Sequence, residues 1–381
     1  MPGFDIVSPS AIQNGDATDA YFDRTVETLE AADRDPQVTA EVTASQFSDG
    51  GWSLLAGLAD AAHLLEDRPV DVDALREGQL FDGGPVMRIE GAYLSFCRLE
   101  TALLGFLSQA TAFATAALEA RLAAPDSLVL SFGSRHLHPS LAATLERSAL
   151  LAGLDGISNV AAGEVLGHEA GGTMPHALVI CFGDGNQEAA WQAFDEAVAP
   201  DVPRVALCDT YGDETQETLR AAAAVDDLDG VRLDTTGSRR GDFEHILREV
   251  RWKLDREGYE NVDIFASGGL TPEVIRDIRG VADGFGVGSH ITSADPLDFA
   301  LDIVAVDGEP AVKRGKLGGD KTVYRTPEGG HRVEPAATSV EGEPLFEPLV
   351  RDGELVREFD IDTAAERAAT DAERVEFSGA E

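Results

Sequence analysis

Short apolar runs alternate with segments of helical period along the middle of the chain. SLVLSF is followed by HPSLAATLERSALLAG, ALVICF by QEAAWQAFDEAV, RVALCD by DETQETLRAAAAV, VRLD by DFEHILREVRWKLDREG, VDIFAS by TPEVIRDIRG, and DGFGVG by ADPLDFALDIV. Each pair reads as a strand and the helix after it, and a weaker unit lies at 155–165. Repeated units of this kind predict a parallel sheet with helices outside, near a closed α/β barrel yet short of eight regular units. Ahead of them, DAYFDRTVETLEAAD has apolar positions at helical spacing, and PVMRIEG at 85–91 alternates like a half-buried strand. A long helical pattern at about 95–123 is apolar on most faces, which predicts a helix buried in the core or at a subunit interface. After Ile303, AVKRGKL and KTVYR read as antiparallel strands, and the tail from about Gly353 is acidic and helical or frayed.

Charge changes the picture of the surface. Asp and Glu total 69 against 30 Lys and Arg, a net charge of −39 spread along all 381 residues. Such a surface repels nucleic acid and anionic membranes. Lysine occurs only at Lys253, Lys313, Lys316 and Lys321. A carboxylate-rich, lysine-poor surface suits molar salt, where screening shrinks to about 3 Å, so the chain reads as a halophile's protein. Cys97, Cys181 and Cys208 have no paired spacing and imply neither disulfides nor a zinc site. With no leader pattern at the N-terminus and no apolar run approaching membrane-spanning length, the expectation is a soluble, cytoplasmic protein.

Ligands of α/β barrels sit at the carboxyl ends of the strands. Ser267-Gly268-Gly269 follows one strand, and Gly286-Val287-Gly288-Ser289 follows the next. Glycine turns there let backbone amides approach a phosphate, the alternative being two ordinary tight turns. Asp209 and Asp234 end their strands and suit ribose hydroxyls or a hydrated Mg²⁺, whereas Asp213 and Asp242 suit helix capping. Arg135, Arg232, Arg239 and Arg240 gather at the same rim, for an anionic ligand or for salt bridges to the abundant carboxylates. Three of the four lysines fall at 313–321, and that hairpin is expected to face a polyanion. Phe132 either stacks on a flat ligand beside Arg135 or belongs to the core. His176, in GGTMPHALVI ahead of an expected strand, is either a satisfied structural imidazole or a reactive one.

In order, DAYFDRT, SFGSRHLHP, GISNVAAGEVLG, GGTMPHA, CDTYGD, VRLDTTGSRRGD, FASGGL, FGVGSHI and VKRGKLGGDKTVYR resemble nicotinate phosphoribosyltransferases, over roughly four-fifths of the chain. More typical members carry a DSGD-like stretch where this chain has Asp234-Thr235-Thr236-Gly237-Ser238, so the resemblance is closest to the archaeal branch. The C-terminal cysteine knuckle of some archaeal relatives is missing, since no cysteine follows Cys208.

The resemblance implies a type II phosphoribosyltransferase fold. An irregular barrel would span 124–304. A second α/β domain would be built from 1–123, with its long connecting helix, and from returning strands at 305–352, leaving 353–381 as a tail. It implies head-to-tail homodimers or higher oligomers with shared sites, Tyr21 of one subunit stacking on the pyridine ring opposite Phe132 of the other. Arg135, Arg232 and Thr173 would then meet nicotinate or nearby phosphates, and Asp234 the ribose hydroxyls. Ser267, Gly268, Gly269, Gly288 and Ser289 would bind the 5′-phosphate, Asp209 would lie near Mg²⁺ and pyrophosphate, and Lys316, Lys321 and Arg325 would face the polyphosphate. His176 would be phosphorylated by ATP to drive mononucleotide formation, with His176, Arg135 and Asp234 as the catalytic set; His136, His138 and His168 stay unassigned. Nicotinamide and quinolinate phosphoribosyltransferases are the rivals within the class. A barrel lyase or aldolase is the rival outside it, and it would need a Schiff-base lysine that no barrel strand supplies.

Overall fold

The computed structural model describes residues 7–45, 51–234, 242–326, 330–336, 338 and 340–374. Two large sheets organise it. The first is antiparallel and seven-stranded, in the order Glu309–Pro310, Asp298–Val306, Gln37–Ser45, Pro85–Ala92, Val70–Ala74, Glu347–Arg351, Glu354–Leu355. The second is parallel and six-stranded, in the order Gly156–Ile157, Leu128–Ser131, Gly284–Val287, Asp263–Ser267, Gly230–Leu233, Val205–Leu207. Its strands are short, and Gly284–Val287 and Val205–Leu207 are buried throughout, as expected of strands covered by helices on one side and a filled interior on the other.

The helix Glu100–Ala123 joins the two halves. Leu103 and Leu107 belong to the core under the antiparallel sheet, while residues from Ala110 to Ala123 belong to the barrel core. Alanine and leucine make the segment strongly helical, and small side chains let neighbours approach on every side. Two buried hydroxyls tie it to the chain before it: Ala56 N donates to Thr111 Oγ1 at 3.2 Å and Leu54 N to Thr115 Oγ1 at 3.0 Å. With Cys97–Leu99 this is the one described helix long and apolar enough to cross a membrane, and here it is the packed core helix that the pattern predicts.

Three elements differ from the sequence expectation. ALVICF is not a strand: His176–Phe182 is a helix with Pro175 as its N-cap, and only Val179 of it is buried. A short apolar run carries no decisive period, and a proline that sets the entry favours the helix. The barrel sheet is left open between Gly156–Ile157 and Val205–Leu207, and the chain from Ala170 to His176 crosses that gap. It bridges to Ile157 at Ala170 and meets Thr210 at His176. DFALDIV is not a helix: Asp298–Val306 is a strand paired with Gln37–Ser45, from Val38 opposite Val306 to Ser45 opposite Asp298. AVKRGKL is not a strand either. It is a turn whose lysines reach back to Asp302, and only KTVYR is extended, as Lys321–Arg325.

The C-terminal helix Ile361–Arg374 docks on this scaffold through buried Asp371, which accepts from Arg325 at 2.9 Å. Beside it lies His331, its side chain 2 % exposed, edge-on to Trp52 at 5.2 Å and 3.7 Å from Asp82. Burial, with the charge of Arg325, pushes this imidazole down to about 4, Asp371 opposing. The ring is therefore neutral when folded and protonates near its ordinary value of 6.5 when unfolded. Its contribution to stability is present above pH 6.5 and is lost as the pH falls toward 4. His331→Phe, which keeps the ring against Trp52, should flatten that acid limb by up to about 3 kcal/mol, read from denaturant midpoints across pH 4–7.

Candidate active site

A cavity of about 870 Å³ opens at the carboxyl ends of the barrel strands. It is lined by Phe132, Arg135, Thr173, Arg232, Asp234, Ser267, Gly268, Gly269, Gly286, Gly288 and Ser289, so one chain brings together these residues, all singled out above.

The two glycine turns form one wall. Gly268 and Gly269 have φ of +89° and +72°, the left-handed region in which glycine is at ease. A Cβ on Gly268 would lie 2.6 Å from Asp234 Oδ1, so this turn also makes room for the carboxylate beside it. Ser267 Oγ donates to the same Oδ1 at 3.0 Å, so its proton is directed to Asp234 and not to a phosphate. The helix after the turn, Pro272–Ile278, is capped by Thr271, whose side chain accepts from Val274 N. The amides left for an anion are therefore those of the turns themselves.

Phe132 forms the floor. A Cβ on Gly286 would lie 2.4 Å from its ring, so the ring rests directly on the strand backbone. Arg232 Cζ stands 6.0 Å from the centroid of that ring. Nη2 of Arg232 donates to Met174 O at 3.2 Å, while its buried Nε has no hydrogen-bond partner among the described residues. Burial lowers the pKa of this guanidinium, and Asp234 and Asp209 oppose the shift. Thr173 Oγ1 is likewise buried without a partner among the described residues. A half-buried, under-bonded guanidinium beside an aromatic face and an unpaired hydroxyl has the chemistry to receive a flat anion.

His176 stands at the edge of this cavity. Its Nδ1 lies 3.2 Å from Thr210 Oγ1, and its Nε2 lies 3.7 Å from both Asp209 Oδ1 and Asp234 Oδ2. Asp209 is 3 % exposed and accepts from Asp234 N at 2.7 Å. Burial raises its pKa, against the pull of that backbone donor and of His176. The imidazole thus stands within hydrogen-bond distance of one hydroxyl and close to two strand-end carboxylates. Of the two carboxylates, Asp234 lines the cavity and suits Mg²⁺, which takes one or two protein carboxylates and completes its shell with substrate oxygens and water, whereas the Asp209 side chain is buried behind it.

Other expectations move elsewhere. Lys313 and Lys316 pair with Asp302 at 2.7 and 3.1 Å, Lys321 with Glu41 at 2.8 Å, and Arg325 with Asp371. Within one chain none of these cations lines the cavity; buried carboxylates on the antiparallel sheet and the C-terminal helix hold them. Tyr21 is 54 % exposed on the helix Ala20–Ala31, also away from its own chain's cavity. Asp213 and Asp242 are helix caps, accepting from Gln216 N and His245 N. His138 accepts from Ser140 N, and His136 meets Thr292 Oγ1 at 3.3 Å. Arg239, Arg240 and the 235–238 stretch lie outside the described residues. Sequence reasoning gave Thr210 no role of its own and read Gly286 only as part of a phosphate turn. Thr210 directly follows a singled-out aspartate, and a glycine inside a strand signals a close approach.

Comparison with known proteins agrees with this geometry. Residues 19–111 match the family described as quinolinate phosphoribosyl transferase, N-terminal domain, and residues 113–302 its C-terminal domain. Nicotinate phosphoribosyltransferase pncB1 of Mycobacterium tuberculosis is 30% identical over 353 residues, 85% of this chain and 77% of that one. The crystal structure of nicotinate-nucleotide pyrophosphorylase from Pyrococcus furiosus superposes with a TM-score of 0.94 at 46% identity over 99% of both chains. Human nicotinic acid phosphoribosyltransferase superposes at 0.73 with 20% identity over 94% of each, a likeness of fold. A glycine-walled cavity at the strand ends of an incomplete barrel, a second domain completed by returning strands, and these relatives lead to one conclusion: the chain has the type II phosphoribosyltransferase fold and belongs to the nicotinate phosphoribosyltransferase family.

Proposed function

We propose that the protein transfers the phosphoribosyl group of phosphoribosyl pyrophosphate to nicotinate, yielding nicotinate mononucleotide and pyrophosphate, and couples this to ATP hydrolysis through phosphorylation of His176. The observation that carries the acceptor is Arg232: a half-buried guanidinium with a buried, unpaired Nε beside the Phe132 ring supports a planar carboxylate. The 5′-phosphate would rest on the amides of 268–269 and 288–289, the ribose hydroxyls on Asp234, and Mg²⁺ with the leaving pyrophosphate near Asp209. Mg²⁺, when bound, neutralises charge on the departing pyrophosphate. Ribosyl C1 loses pyrophosphate through an oxocarbenium-like transition state while the pyridine nitrogen, whose lone pair is already free, attacks the opposite face. Positioning and charge neutralisation are all the protein has to supply.

For the ATP step, the two carboxylates at Nε2 hold the ring proton there and repel phosphate. The lone pair is then on Nδ1, beside Thr210. It attacks the γ-phosphorus of ATP, the bond to ADP breaks, and water later releases phosphate from the N–P bond. A head-to-tail homodimer would bring a second copy's Tyr21 over the pyridine ring. The acidic surface supports work in a cytoplasm of high salt, as in the archaeal-type, halophilic branch.

Quinolinate is the second reading, because the matching family bears its name. It carries an additional carboxylate, whereas among the described residues the cavity presents the two arginines Arg135 and Arg232. A Schiff-base lyase is disfavoured: Lys313, Lys316 and Lys321 pair with carboxylates of the other domain, and Lys253 sits 5.3 Å from the Trp252 ring on an outer helix. Offering nicotinate, nicotinamide and quinolinate with phosphoribosyl pyrophosphate and Mg²⁺ in molar KCl tests the acceptor. Nicotinate should be consumed fastest, and faster turnover of quinolinate with release of CO₂ would overturn the assignment. Gly286→Ala should push the Phe132 ring off the floor, raising the KM for nicotinate by roughly tenfold and costing about 1–3 kcal/mol of stability. An unchanged KM would remove Phe132 from the pyridine site.

A further inference from the structure

Glu217 is 1 % exposed in the first turns of the helix Glu214–Ala224, and the transfer chemistry gives it no role. Its carboxylate does not serve its own helix. Oε2 accepts from Thr210 N at 3.0 Å, and Oε1 accepts from Tyr211 N at 3.0 Å and Gly212 N at 2.6 Å. Gln187 Nε2 adds a fourth donor at 3.2 Å. Three successive amides turned toward one anion form a nest of the kind that elsewhere holds phosphate. Here the chain fills it with its own side chain, and the loop so pinned starts with Asp209 and Thr210, the two groups of this strand end that face His176.

We propose that Glu217 is a positioning residue for phosphoryl transfer to His176, acting through Thr210. The inference rests on the ATP-coupled reading above and deepens it. Without the carboxylate, three amides lose their acceptor and the loop turns to satisfy them with water. The Thr210 hydroxyl then no longer fixes the plane of the imidazole. Misplacing a reacting group by about 1 Å costs on the order of 100-fold in rate, so a partial release of the loop should cost roughly tenfold.

The test is a double-mutant cycle on the full-length protein. Transfer of ³²P from γ-labelled ATP to acid-labile protein phosphate is measured for wild type, Glu217→Ala, Thr210→Val and the double variant. The ring ¹⁵N shifts of His176, assigned with His176→Gln, are read alongside. Glu217→Gln, which keeps one acceptor oxygen, serves as the milder variant should Glu217→Ala melt early. Each single change should slow labelling roughly tenfold, the double change no further than about twofold beyond either, and Glu217→Gln should fall between. Labelling at the wild-type rate in both Glu217 variants, or a double loss equal to the product of the single losses, would overturn the proposal. If wild type takes no label, the ATP-coupled reading fails and the ring shifts decide. The same displacement in Glu217→Ala and Thr210→Val supports positioning, and unmoved shifts refute it.

Discussion

Arg232→Ala should lower kcat/KM for nicotinate by roughly 100-fold or more, about 3 kcal/mol, while the KM for phosphoribosyl pyrophosphate stays within about threefold. The asymmetry follows from where the guanidinium stands. It lies at the aromatic floor, held by the Met174 carbonyl, whereas the phosphate is expected on the backbone amides of the glycine turns, which the substitution leaves in place. Truncation leaves a carboxylate of the acceptor buried without its counter-charge, which costs far more than loss of a solvated pair. Arg232→Lys should recover only part of the loss, because an ammonium keeps the charge but not the planar fork. A nicotinamide rate that falls as steeply as the nicotinate rate would show that Arg232 does not read the carboxylate. Initial rates with both acceptors decide this.

His176→Ala should separate two products that wild type makes together. Mononucleotide should still form, because the glycine turns, Arg232 and Asp234 are untouched, but ADP should no longer accompany it. The final yield should fall to the level that wild type reaches without ATP. Loss of ADP formation should exceed roughly 1,000-fold, as expected when the atom that forms the covalent bond is removed. Equal loss of both products would assign His176 to the transfer step itself. The readout is mononucleotide and ADP quantified in the same quenched samples.

The site was more legible in the sequence than the elements that build it. Glycine pairs and aspartates directly after apolar runs are local signals, and Asp209, Asp234, Gly268, Gly269, Gly288 and Ser289 stand where those signals place them. Period is weaker over short runs. ALVICF and DFALDIV could be helix or strand, and tertiary context decides: one follows the crossing of the barrel's open gap as a mostly unburied helix, the other lies beside Gln37–Ser45. The lysine cluster also has an electrostatic reason within the chain. In so acidic a chain, scarce cations can be retained to neutralise buried carboxylates, and Asp302, Glu41 and Asp371 hold these. The roles of Gly286, Thr210 and Glu217 were hidden because each answers to a partner known only after folding: the Phe132 ring, the His176 imidazole and the nest of backbone amides.

The account stands most directly on the ratio of ADP to nicotinate mononucleotide formed by the wild-type protein from nicotinate, phosphoribosyl pyrophosphate, Mg²⁺ and ATP in molar KCl. Coupling through His176 predicts that ADP appears with the mononucleotide, near one for one when substrates are plentiful, and that omitting ATP lowers the final yield. Mononucleotide formed to the same extent with and without ATP, with no ADP, would contradict it and return His176 to a structural role between Asp209 and Asp234.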